Sequence, residues 1–283
     1  MELTERTFRG LARSSPWRWQ SVHLVRHAHG GAPEEAVIGA RVEAWIRRPG
    51  LMRVVADGRT EVFRERARAA ARYSTRTWGR GGRRRTLARP GTVIPAVDAD
   101  GLVTVRPPDT VVDLDDPMWQ SYAWIAMLDP AELADGDPDR DPALPAGAEP
   151  PPLDPDPYPW AGWPSYAAPV GVEVSDLRET ERAGRRTWWA RAVPTSAYQP
   201  RCSCCPLLPS EVADRIEAED GGPPLDPGVS YPASFEVALD VGTGICVAVH
   251  PQLPSTRSLD AEDSGFDVEI RAVDLDLPKG FFR

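Results

Sequence analysis

The four cysteines are the residues of this chain whose chemistry and spacing most resemble those of a metal site. Three form a C-x-C-C cluster and the fourth follows in a later predicted strand: Cys202, Cys204, Cys205 and Cys246. Structural zinc takes four sulfur or nitrogen ligands in a tetrahedron, which four thiolates, or three with His250, would supply. The spacing differs from the C-x₂-C knuckle, however. Free or buried thiols, and a disulfide or redox pair, are therefore the alternatives.

Three histidines alternate along one predicted strand near the N-terminus. Because residues of equal parity in a strand face the same side, His23, His27 and His29 are expected on one face of a sheet. Such a row would either ligate a metal ion or form a partly solvated sheet face.

Residues 24–28, with the sequence LVRHA, resemble the Leu-Val-Arg-His-Gly/Ala signature of the histidine phosphatase superfamily. The resemblance implies that His27 is a phosphorylated nucleophile, that Arg26 holds the phosphate and that His250 serves as the second histidine. That chemistry needs a neutral imidazole and several cationic donors around the phosphate oxygens. The family's downstream Ser-x-Leu-x-Arg-Ala-x-x-Thr segment has no match here.

Aromatic side chains on predicted elements are the candidates for an apolar binding surface. A concave sheet lined with such rings binds apolar ligands well, because each ring buries a large area. Ordinary packing in the core or on a sheet face is the alternative. The candidates for the groove are Trp19, Trp45, Trp119, Tyr122, Trp124 and Trp189.

Charge and motif content limit the partners and cofactors. The formal net charge of −9 argues against a nucleic-acid-binding protein. Residues 64–89 are basic and residues 98–156 are acidic, so the two stretches form either docking surfaces or ordinary solvated faces. No Walker loop, dinucleotide fingerprint, nucleophile elbow or zinc-protease motif occurs, and we predict no cofactor.

The start of the chain is charged and lacks the apolar segment of a secretory signal peptide. No run of about 18 apolar residues predicts a transmembrane helix. These features predict a cytoplasmic protein, in which thiols are normally reduced.

Period-two alternation predicts antiparallel strands in both halves of the chain. The clearest case is residues 41–47, where apolar and polar positions alternate strictly. Tight turns at Pro49-Gly50 and Asp57-Gly58 join three strands into a meander. The predicted strands are residues 22–28, 37–47, 51–55, 60–64, 102–106, 170–179, 185–193, 235–241, 245–249 and 268–272.

Two helices and one long loop complete the predicted organisation. Residues 3–13 form an opening helix that ends at Ser14-Ser15-Pro16. Residues 113–134 form a second helix, with aspartate caps and a break or kink at Pro130. Residues 137–164 are dominated by Pro, Asp, Ala and Gly, and we predict an irregular insertion there.

The predicted fold class is α+β and β-dominated, with residues 1–283 as a single domain. It consists of a curled antiparallel sheet, or half-barrel, with an N-terminal helix and one or two helices on the concave face. We expect the helix at 113–134 to roof a hydrophobic groove.

The order of elements in the N-terminal half resembles the LolA, LppX and RseB/MucB group of lipoprotein carriers and sensors. The match runs from the helix before Trp17 through the strand at 42–48, the Pro49-Gly50 turn and the Asp57-Gly58 hairpin. The hairpins in residues 235–274 fit the closing strands. The resemblance implies an incomplete β-barrel that binds acyl chains or a lipidated partner inside its curve.

Three functional hypotheses follow from these patterns. The first is a non-enzymatic binding protein with a hydrophobic groove for a lipid, an apolar small molecule or a partner segment. The alternative is a histidine-phosphatase-like hydrolase that uses His27. The second alternative is a cytoplasmic regulatory or interaction protein.

Overall fold

A nine-stranded antiparallel sheet organises the chain in the computed structural model, which describes residues 1–29, 41–64, 93–107, 114–137, 169–252 and 265–283. Its strand order is β4-β3-β2-β1-β11-β10-β9-β8-β7, and β5 pairs separately with β6. The sheet is curled but does not close into a barrel, so the predicted fold class is confirmed. The strands are β1 (Ser21–Ala28), β2 (Arg41–Arg47), β3 (Leu51–Ala56), β4 (Arg59–Arg64), β5 (Ala96–Val97), β6 (Val103–Val105), β7 (Val172–Arg182), β8 (Arg185–Pro194), β9 (Ser234–Asp240), β10 (Cys246–Gln252) and β11 (Phe266–Val273).

The tight turns predicted from the sequence set the register of the N-terminal meander. Asp57 and Gly58 both have positive φ, at 49° and 72°, as a two-residue hairpin of this hand requires. The strands on either side pair Ala56 with Arg59 and Leu51 with Arg64. Alternate residues of β2 are consequently buried on one face only, which is the pattern of a one-sided sheet.

Helix α1 (Glu5–Arg18) covers the concave face of the sheet. It begins at Thr4, whose hydroxyl accepts a hydrogen bond from the backbone N–H of Thr7. It runs past the predicted end, and both serines there have hydrogen-bond partners for their hydroxyl groups. Ser14 donates to the carbonyl of Gly10 at 2.6 Å and Ser15 to that of Leu128 at 2.5 Å.

The second predicted helix is much shorter than expected. Within residues 114–137, only α2 (Ala123–Leu128) and a 3₁₀ turn (Ala131–Leu133) are helical, and residues 114–118 are irregular. A third helix, α3 (Glu211–Glu219), was not predicted, although Ser210 caps its first turn. A 3₁₀ turn (Lys279–Phe282) ends the chain. In the described part of the chain, no helix is both long and apolar enough to span a bilayer.

Two regions of the sequence prediction lie largely outside the described residues. Residues 65–92 contain nearly all of the basic stretch at 64–89, and residues 138–168 contain nearly all of the irregular insertion at 137–164. Neither prediction is therefore tested.

Truncating a leucine on the inner face of α1 should measure how firmly the helix is held. Leu11 is fully buried against the sheet. Leu11→Ala should lower the free energy of unfolding by about 2–5 kcal/mol, because it leaves a cavity in a packed core. Urea denaturation followed by tryptophan fluorescence measures this change.

The matched control is Leu225→Ala, since Leu225 is 38% exposed. Its unfolding free energy should change by no more than about 0.5 kcal/mol. Equal losses for the two variants would show that α1 is not packed as described.

Candidate functional site

An arginine interrupts the apolar inner face of β1. Its inward positions are Val22, Leu24, Arg26 and Ala28, since alternate residues of a strand share a face. Arg26 is paired in register with Val42 of β2 and Val268 of β11, both of them buried core residues. This interior strand, the fourth of nine in the sheet, therefore directs a guanidinium toward the concave side.

Among the described residues, the groups in contact with this guanidinium are aromatic rings, and none of them is acidic. Its central carbon lies 4.9 Å from the ring centroid of Phe266 and 5.9 Å from that of Trp124. Such contacts attract a cation only modestly, by about 0.5–2 kcal/mol. Burial lowers the pKa of the Arg26 guanidinium to about 10, so the group is still a cation at neutral pH.

Arg26 differs from the other arginines that pack inside the protein. Arg48 forms a bidentate pair with Asp116 at 2.9 and 2.7 Å, and Arg201 reaches Asp115 and Asp129 at 2.7 and 2.8 Å. Among the described arginines that are at least partly buried, Arg26 is the one without a hydrogen bond or an ion pair. The Arg26 guanidinium is thus a half-buried charge that has no counter-ion among the described residues.

A second unsatisfied donor lies on the same side of the sheet. The indole N–H of Trp119 is buried and has no hydrogen-bond partner among the described atoms. The Trp119 ring packs edge-on against Trp124, with ring centroids 5.8 Å apart. Trp124 thus contacts two groups that lack acceptors, Arg26 and Trp119, and we define these three residues as the concave-face cluster.

The six aromatic residues predicted for the groove do not form one surface. Trp19, Trp119 and Trp124 are buried on the concave side, each 3% exposed or less. Tyr122 is half-buried there and donates a hydrogen bond to Asp115. Trp45 and Trp189 lie on the convex side instead, where Trp45 stacks on His23 at 4.4 Å.

The histidine phosphatase geometry finds no support in β1. Arg26 and His27 are consecutive residues of a regular strand, and their side chains point to opposite faces of the sheet. The two groups therefore cannot hold one phosphate together. His250 lies beside His29, with ring centroids 5.3 Å apart.

His29, His250 and Asp267 form a cluster of possible metal ligands on the convex side, within 4.8 Å of one another. Asp267 already accepts hydrogen bonds from both histidines and pairs with Arg182 at 2.6 Å. Partial burial disfavours its charge, but His250 and Arg182 hold the pKa of this carboxyl well below its usual range. The carboxylate is therefore already balanced by its neighbours.

The cysteines predicted as metal ligands separate into a group of three and one distant residue. The sulfurs of Cys202, Cys204 and Cys205 converge, with 3.2 Å between the first two and 3.5 Å between the last two. Cys246 lies in the core, where burial raises the pKa of its thiol to about 12. The structure thus brings together three of the four candidates.

A buried polar network fixes the segments that cover the concave face. Asp129 is fully buried and pairs with Arg106 and Arg201. Burial opposes ionisation of Asp129, but the charges of the two arginines outweigh it and lower the pKa of its carboxyl. Glu132 accepts the backbone N–H groups of Arg201 and Leu207, and its burial raises the pKa of this second carboxyl.

The sequence contained a signal for Arg26 that the motif search assigned to another role. A charged residue in an otherwise apolar inward series, Val22-x-Leu24-x-Arg26-x-Ala28, marks a break in the core pattern. The unsatisfied state of Trp119 has no comparable signal, because it depends on which residues pack around the ring.

Neutralising Asp129 should destabilise the fold strongly. Asp129→Asn leaves the guanidiniums of Arg106 and Arg201 buried without their shared charge, so unfolding free energy should fall by about 3–5 kcal/mol. Urea denaturation measures the change. Glu211→Gln, which breaks an exposed pair with Arg215 at 2.6 Å, is the control and should cost less than about 1 kcal/mol.

A small effect of Asp129→Asn, similar to that of the control, would contradict the buried network.

Comparison with protein-family models, with curated proteins and with solved structures finds no match for this chain. The physical chemistry of its own side chains, above all of Arg26, is therefore the basis for a proposal about function.

Proposed function

We propose that this protein is a non-enzymatic binding protein whose concave face takes an apolar small molecule or lipid bearing an acidic group. The single observation that carries the proposal is the half-buried Arg26 guanidinium, which has no counter-ion among the described residues. A charge in such a place is unfavourable unless a partner neutralises it. A ligand carboxylate or phosphate supplies that partner.

The surroundings of Arg26 favour a ligand with an apolar body over a simple inorganic ion. Phe266 and Trp124 flank the guanidinium, and its neighbours in register are Val42 and Val268. Pockets that are mostly apolar, with few polar anchors, select ligands of the same character. The acidic group would bind Arg26 while the apolar body packs against the rings.

The concave-face cluster offers a second donor to the same kind of ligand. The indole N–H of Trp119 has no acceptor among the described atoms, and an unmade hydrogen bond of this kind costs about 1–3 kcal/mol. A ligand oxygen that reached it would recover that energy. A purely hydrocarbon ligand satisfies neither Arg26 nor Trp119.

The curled sheet also agrees with what the resemblance to lipoprotein carriers and sensors implies about shape. From that resemblance the proposal keeps only the binding of an apolar molecule within the curve of the sheet. Lipoprotein transport is not part of the proposal.

Replacing Arg26 should separate ligand binding from folding. Arg26→Met keeps much of the side-chain volume but removes the charge, and it should weaken binding of a dansyl-labelled undecanoic acid about tenfold or more. The reason is the loss of a charge-assisted hydrogen bond worth about 1.5–3 kcal/mol. Fluorescence titration of the full-length protein measures the affinity.

The matched control is Arg59→Met, because Arg59 is an exposed arginine of the same sheet whose side chain has no hydrogen bond or ion pair with another described residue. It should bind the probe as the wild type does. Equal affinity of Arg26→Met and wild type would contradict the proposal. A large loss of stability in Arg26→Met would do so too, since removal of an unpaired buried charge should be neutral or stabilising.

A further inference from the structure

Three cysteine side chains converge on a turn that lies away from Arg26 in the sequence. The turn closes with a hydrogen bond from the N–H of Cys205 to the carbonyl of Cys202 at 3.2 Å. Cys204 is exposed, and Cys202 and Cys205 are half-buried. We propose that Cys202, Cys204 and Cys205 form a binding site for one soft closed-shell cation, Cu⁺ or Zn²⁺. The site is separate from the function proposed above.

The spacing of the sulfurs is close to what such an ion needs. The Sγ atoms of Cys202 and Cys204 are 3.2 Å apart, those of Cys204 and Cys205 are 3.5 Å apart, and all three lie within 4.8 Å of one another. Metal–sulfur bonds of about 2.3 Å place neighbouring sulfurs about 3.8 Å apart in a tetrahedron. Small rotations of the side chains therefore suffice to admit the ion.

The turn is held at both ends before any ion binds. On one side, the backbone N–H of Arg201 donates to Glu132 at 2.8 Å. On the other side, Leu207 donates to the same carboxylate at 3.0 Å, and Leu208 donates to the Tyr198 hydroxyl at 3.1 Å. Because Glu132 and Tyr198 are buried, both ends of the five-residue C-x-C-C-P segment are anchored to the core. This anchoring distinguishes the turn from a flexible cysteine-bearing loop.

The Arg201 side chain adds a third anchor. Its guanidinium pairs with Asp129 at 2.8 Å and with Asp115 at 2.7 Å, so it is directed into the core and away from the sulfurs. The positive charge of Arg201 is therefore neutralised by these two carboxylates of the buried network.

The chemistry of the donors selects the class of ion. Thiolates prefer Cu⁺ and Zn²⁺ over hard cations such as Mg²⁺ or Ca²⁺, which take oxygen ligands. On binding, each thiol that ligates loses its proton to solvent and forms a sulfur–metal bond, with no change of oxidation state. Three protein ligands and an exposed side leave room for a further external ligand, whereas Cys246 is buried in the sheet and outside this cluster.

A competition titration tests the site. The reduced, chelator-treated full-length protein is titrated without oxygen against Cu⁺ held by bicinchoninate, and separately against Zn²⁺ held by 4-(2-pyridylazo)resorcinol. We expect the protein to withdraw one equivalent of at least one of these ions from its indicator. Bound ion should also protect Cys202, Cys204 and Cys205 from iodoacetamide.

The variant Cys202→Ser/Cys204→Ser/Cys205→Ser should lose this binding at micromolar protein concentration, while Cys246→Ala should retain it. Circular dichroism of both variants verifies the fold, and the dansyl fatty acid should bind both as it binds the wild type. If the wild type leaves both ions with their indicators, or if the triple variant still binds, the proposal is overturned. Loss of binding only in Cys246→Ala would also overturn it.

Discussion

The need to cover one face of a large curled sheet dominates this structure. Period-two strands present a single apolar face, and that face must be removed from water. The covering segments are α1, the short α2 and much irregular chain, whose backbone N–H and C=O groups need partners once buried. Charged side chains supply several of them: Arg48 donates to the carbonyls of Ser15, Pro16 and Trp19, and Glu132 accepts two backbone N–H groups. Buried charge is thus part of how the cover is attached.

The surroundings of Arg26 differ from those of the arginines that attach the cover. The other arginines that hold the covering segments, such as Arg48 and Arg201, have a carboxylate or several backbone carbonyls beside the guanidinium. Arg26 has aromatic rings and no such partner in the described residues. It therefore does not attach the cover by ion pairs as the other arginines do, and this difference is the basis of the ligand proposed above. The convergent thiols of the Cys202–Cys205 turn are a similar case, held in place by the same buried network.

The strands and their turns were predictable because they depend on local patterns. Alternation in residues 41–47 and the Asp57-Gly58 turn set the β2, β3 and β4 register without reference to the rest of the chain. Helix boundaries were less predictable, since α1 continues through Ser14 and Ser15, and the Ser15 hydroxyl donates to the carbonyl of Leu128, which is distant in the sequence. The site was least predictable. The sequence marks Arg26 as a charged residue in an apolar inward series. Its lack of a counter-ion in the described residues, and the separation of Cys246 from the other cysteines, depend instead on contacts between distant segments.

The central claim is that the concave face holds a cation that requires an anionic, partly apolar ligand. It is tested most directly by thermal unfolding of the wild-type protein with dodecanoate or with its methyl ester, at equal free concentrations. A ligand that binds the native state alone raises the melting temperature. The account predicts that dodecanoate raises it in a concentration-dependent way and that the uncharged ester raises it far less. Equal shifts with both compounds, or no shift with either, would contradict the assignment of Arg26 as the anchor.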